Sequence, residues 1–303
     1  MAGSGSRTVV AAALLCLGAA VLSACTGSGV PDVRTSAAAA TGSAIRELTD
    51  SQRAVLARAE NLLVRDCMRE QGFSFWVTEE LPARVGTKFP YVVDDEAWAA
   101  ENGYGGSIQK RRDALAAENP NQRYFKGLSA ARRSAAVSAL NGAEPKGLEA
   151  DVPGMGRGRH SDEGCEAEAQ RSLYTDLPRW YRARKVTEAL EQQVRSAVVG
   201  DARFTRAVTR WATCMRAAGH AYSTPPESRR AFARGPDARP ADEVETAVAE
   251  ARCAASSGLS SGIRTLERVH RDEVNSRYAV EVRDRNELEH LALGRAHQIV
   301  RRG

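Results

Sequence analysis

After Cys25 the sequence contains no apolar run long enough to cross a bilayer as a helix, which takes about 18 or more apolar residues. It contains no C-x-x-C unit, so neither a redox dithiol nor a closely spaced zinc knuckle is supported. No Gly-rich stretch leads into G-K-S/T, the arrangement that cradles phosphates in nucleotide-binding loops. Consecutive strand–helix units are missing, which argues against the doubly wound lobes of solute-binding proteins. Lys is scarce: almost all of the 43 basic residues are Arg, interleaved with 38 acidic ones for a net charge of +5. Nucleic-acid binding needs basic residues gathered on one face. No nucleic-acid partner is therefore expected.

What is present starts at the N-terminus. Arg7 supplies a positive charge, and Val9 to Leu22 is an apolar stretch of 14 residues, shorter than a span. Leu22-Ser23-Ala24-Cys25 follows. Ordinary signal cleavage prefers small residues at both positions of an A-x-A-like site, and Leu22 is not small. The tetrapeptide has the form of a bacterial lipobox, at which the signal is cut and the Cys is lipidated. Two acyl chains hold a protein stably on a bilayer, at roughly 0.8 kcal/mol per buried CH₂. A diacylated Cys25 places the body on the outer face of the cytoplasmic membrane. Thr26 to Ala44 is rich in Gly, Ser, Ala and Thr and reads as a flexible tether, reaching on the order of 25 Å. The expected organisation is a signal peptide over 1–24, a lipidated tether over 25–44, an N-terminal helical lobe over 45–180 and a C-terminal helical lobe over 181–303.

Four cysteines remain in the body: Cys67, Cys165, Cys214 and Cys253. An even number in an exported chain implies disulfides, and four permit three connectivities. Cys67-Met68-Arg69 with Gly72 and Phe75 matches Cys214-Met215-Arg216 with Gly219 and Tyr222. Each copy closes a helical stretch, and its Gly suits the left-handed position after a helix. Each is followed by one further Cys in a helical pattern. This repeat favours Cys67–Cys165 and Cys214–Cys253, with cross-pairing of Cys67 and Cys214 the main alternative.

The periodicity predicts a mainly α domain with a few short strands. Thr49, Asp50 and Ser51 offer caps for a helix to about Gln71. Phe73–Val77 and Phe89–Val93 read as short strands. Helices are expected over Ser107–Glu118, Ser129–Leu140, Cys165–Tyr174, Trp180–Val199, from the Asp201 cap to Met215, and from Asp242 through Cys253. Ala143–Gly164 and Ser223–Pro240 read as loops. Arg229, Arg230, Arg234 and Arg239 make the second the one unevenly basic stretch. Ile263–Arg301 reads as one long charged helix.

The chemical motifs are weak. Gly258-Leu259-Ser260-Ser261-Gly262 matches G-x-S-x-G, but a nucleophile elbow needs a strand feeding the Ser, and an Ala-rich helix precedes it. Glu287-x-x-His290 has di-metal ligand spacing without a second copy, and His297 lies two turns beyond His290. Gly103-Tyr104-Gly105-Gly106 reads as a tight turn and Gly154 to Gly158 as a flexible loop. Asp94-Asp95-Glu96 lacks the alternation of a calcium loop and suits a helix N-terminus. No catalytic set and no metal or cofactor site is expected.

Several of these features together resemble an actinobacterial, Streptomyces-type set of secreted lipoproteins with paired C-M-x-x-x-G motifs. The features are the lipobox at Cys25, the Cys67 unit, Gly103-Tyr104-Gly105 and the Leu128-to-Gly142 helix. Gly164-Cys165, Trp211-x-x-Cys214-Met215 with Gly219, and the Ala-rich helix holding Cys253 complete the order. His220 departs from the aromatic residue usual there. The resemblance implies a location and disulfides, not a mechanism. The expectation is a lipid-anchored, non-catalytic binding or structural module of the cell envelope, with a cell-wall polymer or an envelope protein as partner. The alternatives are an envelope hydrolase using acids such as Asp94 or Glu96, and an accessory subunit of a membrane transporter.

Overall fold

Thr49 and Gln52 start the first helix reciprocally. The Thr49 hydroxyl accepts from the Gln52 N–H, and the Gln52 side chain accepts from the Thr49 N–H at 2.9 Å, a capping box that satisfies two otherwise orphaned donors. The computed structural model describes residues 47–78, 81, 84–233 and 240–303. The expected signal, Cys25 and the tether lie outside them. Among the described residues there are 13 helices and one two-stranded hairpin, so the chain is mainly α. None of these helices is long and apolar enough to cross a membrane.

Helix α1 (Asp50–Glu70) leads through an extended segment to the short α2 (Val85–Lys88), α3 (Glu96–Asn102), α4 (Gly106–Ala117), α5 (Pro120–Gly127) and α6 (Ala130–Asn141). A hairpin follows, β1 (Gly147–Val152) and β2 (Gly156–Ser161). It is antiparallel, with Gly147 opposite Ser161 and Val152 opposite Gly156. Then come α7 (Cys165–Tyr174), α8 (Leu177–Gly200), α9 (Ala202–Ala217), α10 (Pro225–Ala233), α11 (Pro240–Ser256), α12 (Leu259–Arg277) and α13 (Ala279–Arg302).

Helix α8 joins two cores. Its first turns put Leu177, Trp180 and Tyr181 among residues of α1, α7, β1 and α13. Its later turns put Val186, Leu190, Val194 and Val198 among residues of α9, α11 and α12. Residues 180 and 181, the expected lobe boundary, both lie inside this helix. Asp201 ends α8 and caps α9, accepting from the Arg203 N–H at 2.7 Å.

Two disulfides staple the body: Cys67–Cys165 ties α1 to α7, and Cys214–Cys253 ties α9 to α11. This is the pairing that the repeat favours. Both copies of the repeat end in one geometry. Gly72 has φ +76° and Gly219 has φ +89°. The Gly72 N–H donates to Arg69 and the Phe73 N–H to Met68; the Gly219 N–H donates to Arg216 and the His220 N–H to Met215. Each is a Schellman closure, with Met68 and Met215 fully buried beneath it.

Five local expectations are corrected. Phe73–Val77 and Phe89–Val93 are not strands. Phe73, Phe89, Tyr91, Val92 and Val93 are buried, but the backbone finds side-chain acceptors instead of a ladder: Trp76 N–H donates to Asn121 and Val93 N–H to Glu250. Ala143–Gly164 is not a loop throughout, because Leu148 and Ala150 bury one face of β1 while Glu149 and Asp151 face Arg159 and Arg157 across the hairpin. Pro120 starts α5 behind the Asn119 cap. Ser223–Pro240 holds α10, with Pro in its first turn. The C-terminal helix breaks at Tyr278 (φ −115°, ψ 33°), so that Leu259, Ile263 and Leu266 serve one core while Leu288, Ala292 and Ala296 serve the other. A straight helix has one apolar stripe and would not reach both.

Candidate functional site

The chemistry of the molecule concentrates around Glu250, which lies mid-way along α11. Ala247, Ala251 and Ala254 flank it on the buried face, and small side chains let other backbone approach closely. The Glu250 carboxyl is fully buried. One of its oxygens accepts from the Val93 N–H at 2.9 Å. The other accepts from the Tyr104 hydroxyl at 2.7 Å and from the Ser228 hydroxyl. Its own carbonyl lies 3.4 Å from the indole nitrogen of Trp211, which donates to it. Four separate segments therefore meet on one residue: the Tyr91–Val93 segment, the Gly103–Gly105 turn, α9 and α10.

Arg229 stands beside this cluster. Its Nη1 donates to the Phe89 carbonyl at 2.7 Å, and its Nε lies 3.9 Å from Glu250 Oε1. Its Nε and Nη2 are buried without a hydrogen-bond partner among the described residues. Burial pushes the Glu250 carboxyl up from its ordinary range, opposed by the Ser228 and Val93 donors and the Arg229 charge. The same burial, with the neighbouring carboxylate, raises the Tyr104 phenol. Burial also lowers the Arg229 guanidinium, which Glu250 opposes.

A cleft of about 870 Å³ opens in front of Arg229, within the range of small-ligand sites. Its walls are α2, the Tyr104–Gly106 turn, the first turns of α4, Arg195 of α8, and α10. Tyr104 and Phe232 form a stacked pair at its edge, 5.6 Å between centroids. The turn can pass here because Gly105 has φ +80° and a Cβ there would meet Val85 Cγ2 at 2.3 Å.

The residues singled out in the sequence lie elsewhere or play other parts. Asp95 caps α3 and accepts from the Trp98 N–H. Asp94 faces Arg264 at 3.6 Å and Glu96 pairs with Arg252 at 2.6 Å; neither lines the cleft. Ser260 is buried in the first turn of α12, and Gly258 makes the helix–helix connection at φ +76°. Glu287 binds Arg179 at 2.6 Å, and His290 bonds its own helix at Asn286. His297 is exposed. Among the described residues no group of three or more His, Cys, Asp or Glu could hold a metal ion. In the basic stretch Arg229 points inward and Arg230 is exposed; Arg234 and Arg239 lie outside the described residues.

Sequence reasoning marked Arg229 only as part of a basic loop and missed Glu250, Ser228 and Arg195. One signal for Glu250 was present: a lone carboxylate on the Ala face of an amphipathic helix. No family model, curated protein or solved structure matches the chain.

Proposed function

We propose that this protein is a lipoprotein held on the outer face of the cytoplasmic membrane by an acylated Cys25. Its helical domain acts as a non-catalytic binding module of the cell envelope. The observation that carries the reading is Leu22-Ser23-Ala24-Cys25 at the end of an apolar stretch too short to span. The two disulfides support it, since structural disulfides persist in oxidising compartments and are rare in the cytosol. The cleft beside Glu250 supports a binding role, because it is large and lined by Arg84, Lys110, Arg195 and Arg229.

The test is intact-mass measurement of the full chain extracted from membranes, with Cys25→Ala beside it. The expected species starts at Cys25 and carries a diacylglyceryl mass, while Cys25→Ala retains its signal or leaves the membrane fraction. A wild-type chain with residues 1–24 intact and no added lipid would overturn the proposal.

A further inference from the structure

Many arginines among the described residues are already engaged. Arg179 bridges Asp284 and Glu287, Arg203 binds Asp201, Arg252 binds Glu96, and Arg285 binds Glu289. The cleft in front of Arg229 is different. Arg84, Lys110 and Arg195 line it and have no ion pair or side-chain hydrogen bond among the described residues. Arg229 adds a guanidinium with two unpartnered nitrogens. Two carboxylates share the cleft, and both are occupied: Asp113 accepts from Gln109 at 2.8 Å, and Glu243 from the Tyr104 N–H at 2.9 Å. Glu250, behind the wall, has both oxygens taken. Among the described residues, four cations thus line the cleft against two carboxylates, and none of these cations is paired to either carboxylate.

We infer that this cleft binds a phosphoester, with Arg195 and Lys110 meeting the phosphate from the solvent side and Arg229 from behind. A planar guanidinium presents a fork of donors that matches phosphate oxygens, and several cations suit a group with three or four acceptor oxygens better than a single carboxylate. Arg229, whose Nε and Nη2 are buried, adds its positive charge from behind. Gly106 at the start of α4 is exposed, and the first turn of that helix has no side-chain cap. The partial positive charge there adds to the field. The Tyr104–Phe232 pair supplies an aromatic edge for the organic part of the ester. This inference rests on the binding-module reading and names its ligand class.

The ester could come from a lipid headgroup or from a free small molecule, and both present the same chemistry. The test is calorimetric titration of the full chain, solubilised in a neutral detergent, with three probes: glycerol phosphate, short-chain phosphatidylglycerol and short-chain phosphatidylcholine. Each is run on wild type, on Arg195→Gln/Lys110→Gln, and on Arg268→Gln, which removes an exposed cation outside the cleft.

The expected result is saturable binding of glycerol phosphate or phosphatidylglycerol, weakened at least tenfold in the double variant and unchanged in Arg268→Gln. Binding of phosphatidylglycerol tighter than glycerol phosphate assigns a headgroup; the reverse assigns a free ester. Because the substituted side chains are unpaired, thermal unfolding of the double variant should match wild type, which separates lost binding from lost folding.

No saturable binding of either phosphoester, equal binding in the double variant, or an equal loss in Arg268→Gln would overturn the inference. Phosphatidylcholine binding as tight as phosphatidylglycerol would overturn it too, since that reports the apolar tails. A correctly acylated chain that binds no phosphoester defeats this inference alone. A chain that binds the ester but carries no lipid defeats the anchoring proposal alone.

Discussion

Tyr104 donates a 2.7 Å hydrogen bond to Glu250 across 146 residues of chain. It fastens the turn before α4 to the middle of α11, and the Ser228 hydroxyl of α10 shares the same carboxyl oxygen. The cleft is thus the outer surface of a polar knot. Its wall is only as firm as the bonds on one side chain.

Glu250→Ala should cost roughly 3–5 kcal/mol, because three donors lose their acceptor and Arg229 loses its counter-charge. Glu250→Gln tests the sign with pH. Burial holds the Glu250 carboxyl above the ordinary value of 4.5, so the folded protein keeps a proton that the unfolded chain releases. The stability from this group is complete below that value and is lost as pH rises through the raised one. Relative to Glu250→Gln, which does not titrate, the melting temperature of wild type should therefore fall as pH rises from about 4.5. A wild type that gains on Glu250→Gln as pH rises would show that Arg229 and the donors hold the anion instead.

Gly219→Ala and Gly72→Ala should each cost roughly 1–2 kcal/mol. Both positions have positive φ, yet a Cβ meets nothing within 4 Å, so only backbone strain opposes the change. Gly105→Ala should cost more, above about 2 kcal/mol, because Val85 Cγ2 lies 2.3 Å from the added carbon. Denaturant midpoints of the three variants check the order. Equal losses would mean that Val85 yields without resistance.

Removing the disulfides should separate the two cores. The bonds close separations of 98 and 39 residues, which the loop-entropy account converts to roughly 5 and 4 kcal/mol. Glu250 lies one turn before Cys253 on α11. Serine replacement of Cys214 and Cys253 should therefore raise amide exchange along α11 and the Tyr104 turn. Serine replacement of Cys67 and Cys165 should raise it along α1 and α7. Exchange that rises everywhere in both variants would contradict this division.

Much of the local structure was legible because its causes are local. Asp201 between two apolar patterns marks a shared helix boundary, and the Gly after each Cys-Met-Arg marks a left-handed closure. The hairpin was legible in principle. Leu148-Glu149-Ala150-Asp151-Val152 alternates with period two, and Arg157 and Arg159 repeat the opposite charge with the same period; the glycines around them masked it. Phe73–Val77 and Phe89–Val93 misled for the converse reason. Their composition suits a strand, but a strand requires a neighbour, and here side chains of Asn121 and Glu250 take the neighbour's place.

The candidate site was much less visible. Its members come from positions 84 to 243 of the chain, and apart from the Gly103–Gly106 turn and the basic stretch at Arg229 none stands in a motif. Arg195 looks like any charge on a helix. It matters because it lines a cleft with no carboxylate paired to it, and that is a fact about neighbours.

The chain's own order of residues determined the helical class, the capping positions, the cysteine repeat and the Leu22-to-Cys25 tetrapeptide, since each depends on spacings of a few residues or on chemistry at one position. Folding alone decided that the last long helix would break at Tyr278 to serve two cores. Folding also buried Glu250 and left Arg84, Lys110 and Arg195 of one cleft without ion-pair partners among the described residues. Burial and charge balance are sums over everything that packs nearby, and those sums exist only once distant segments have met.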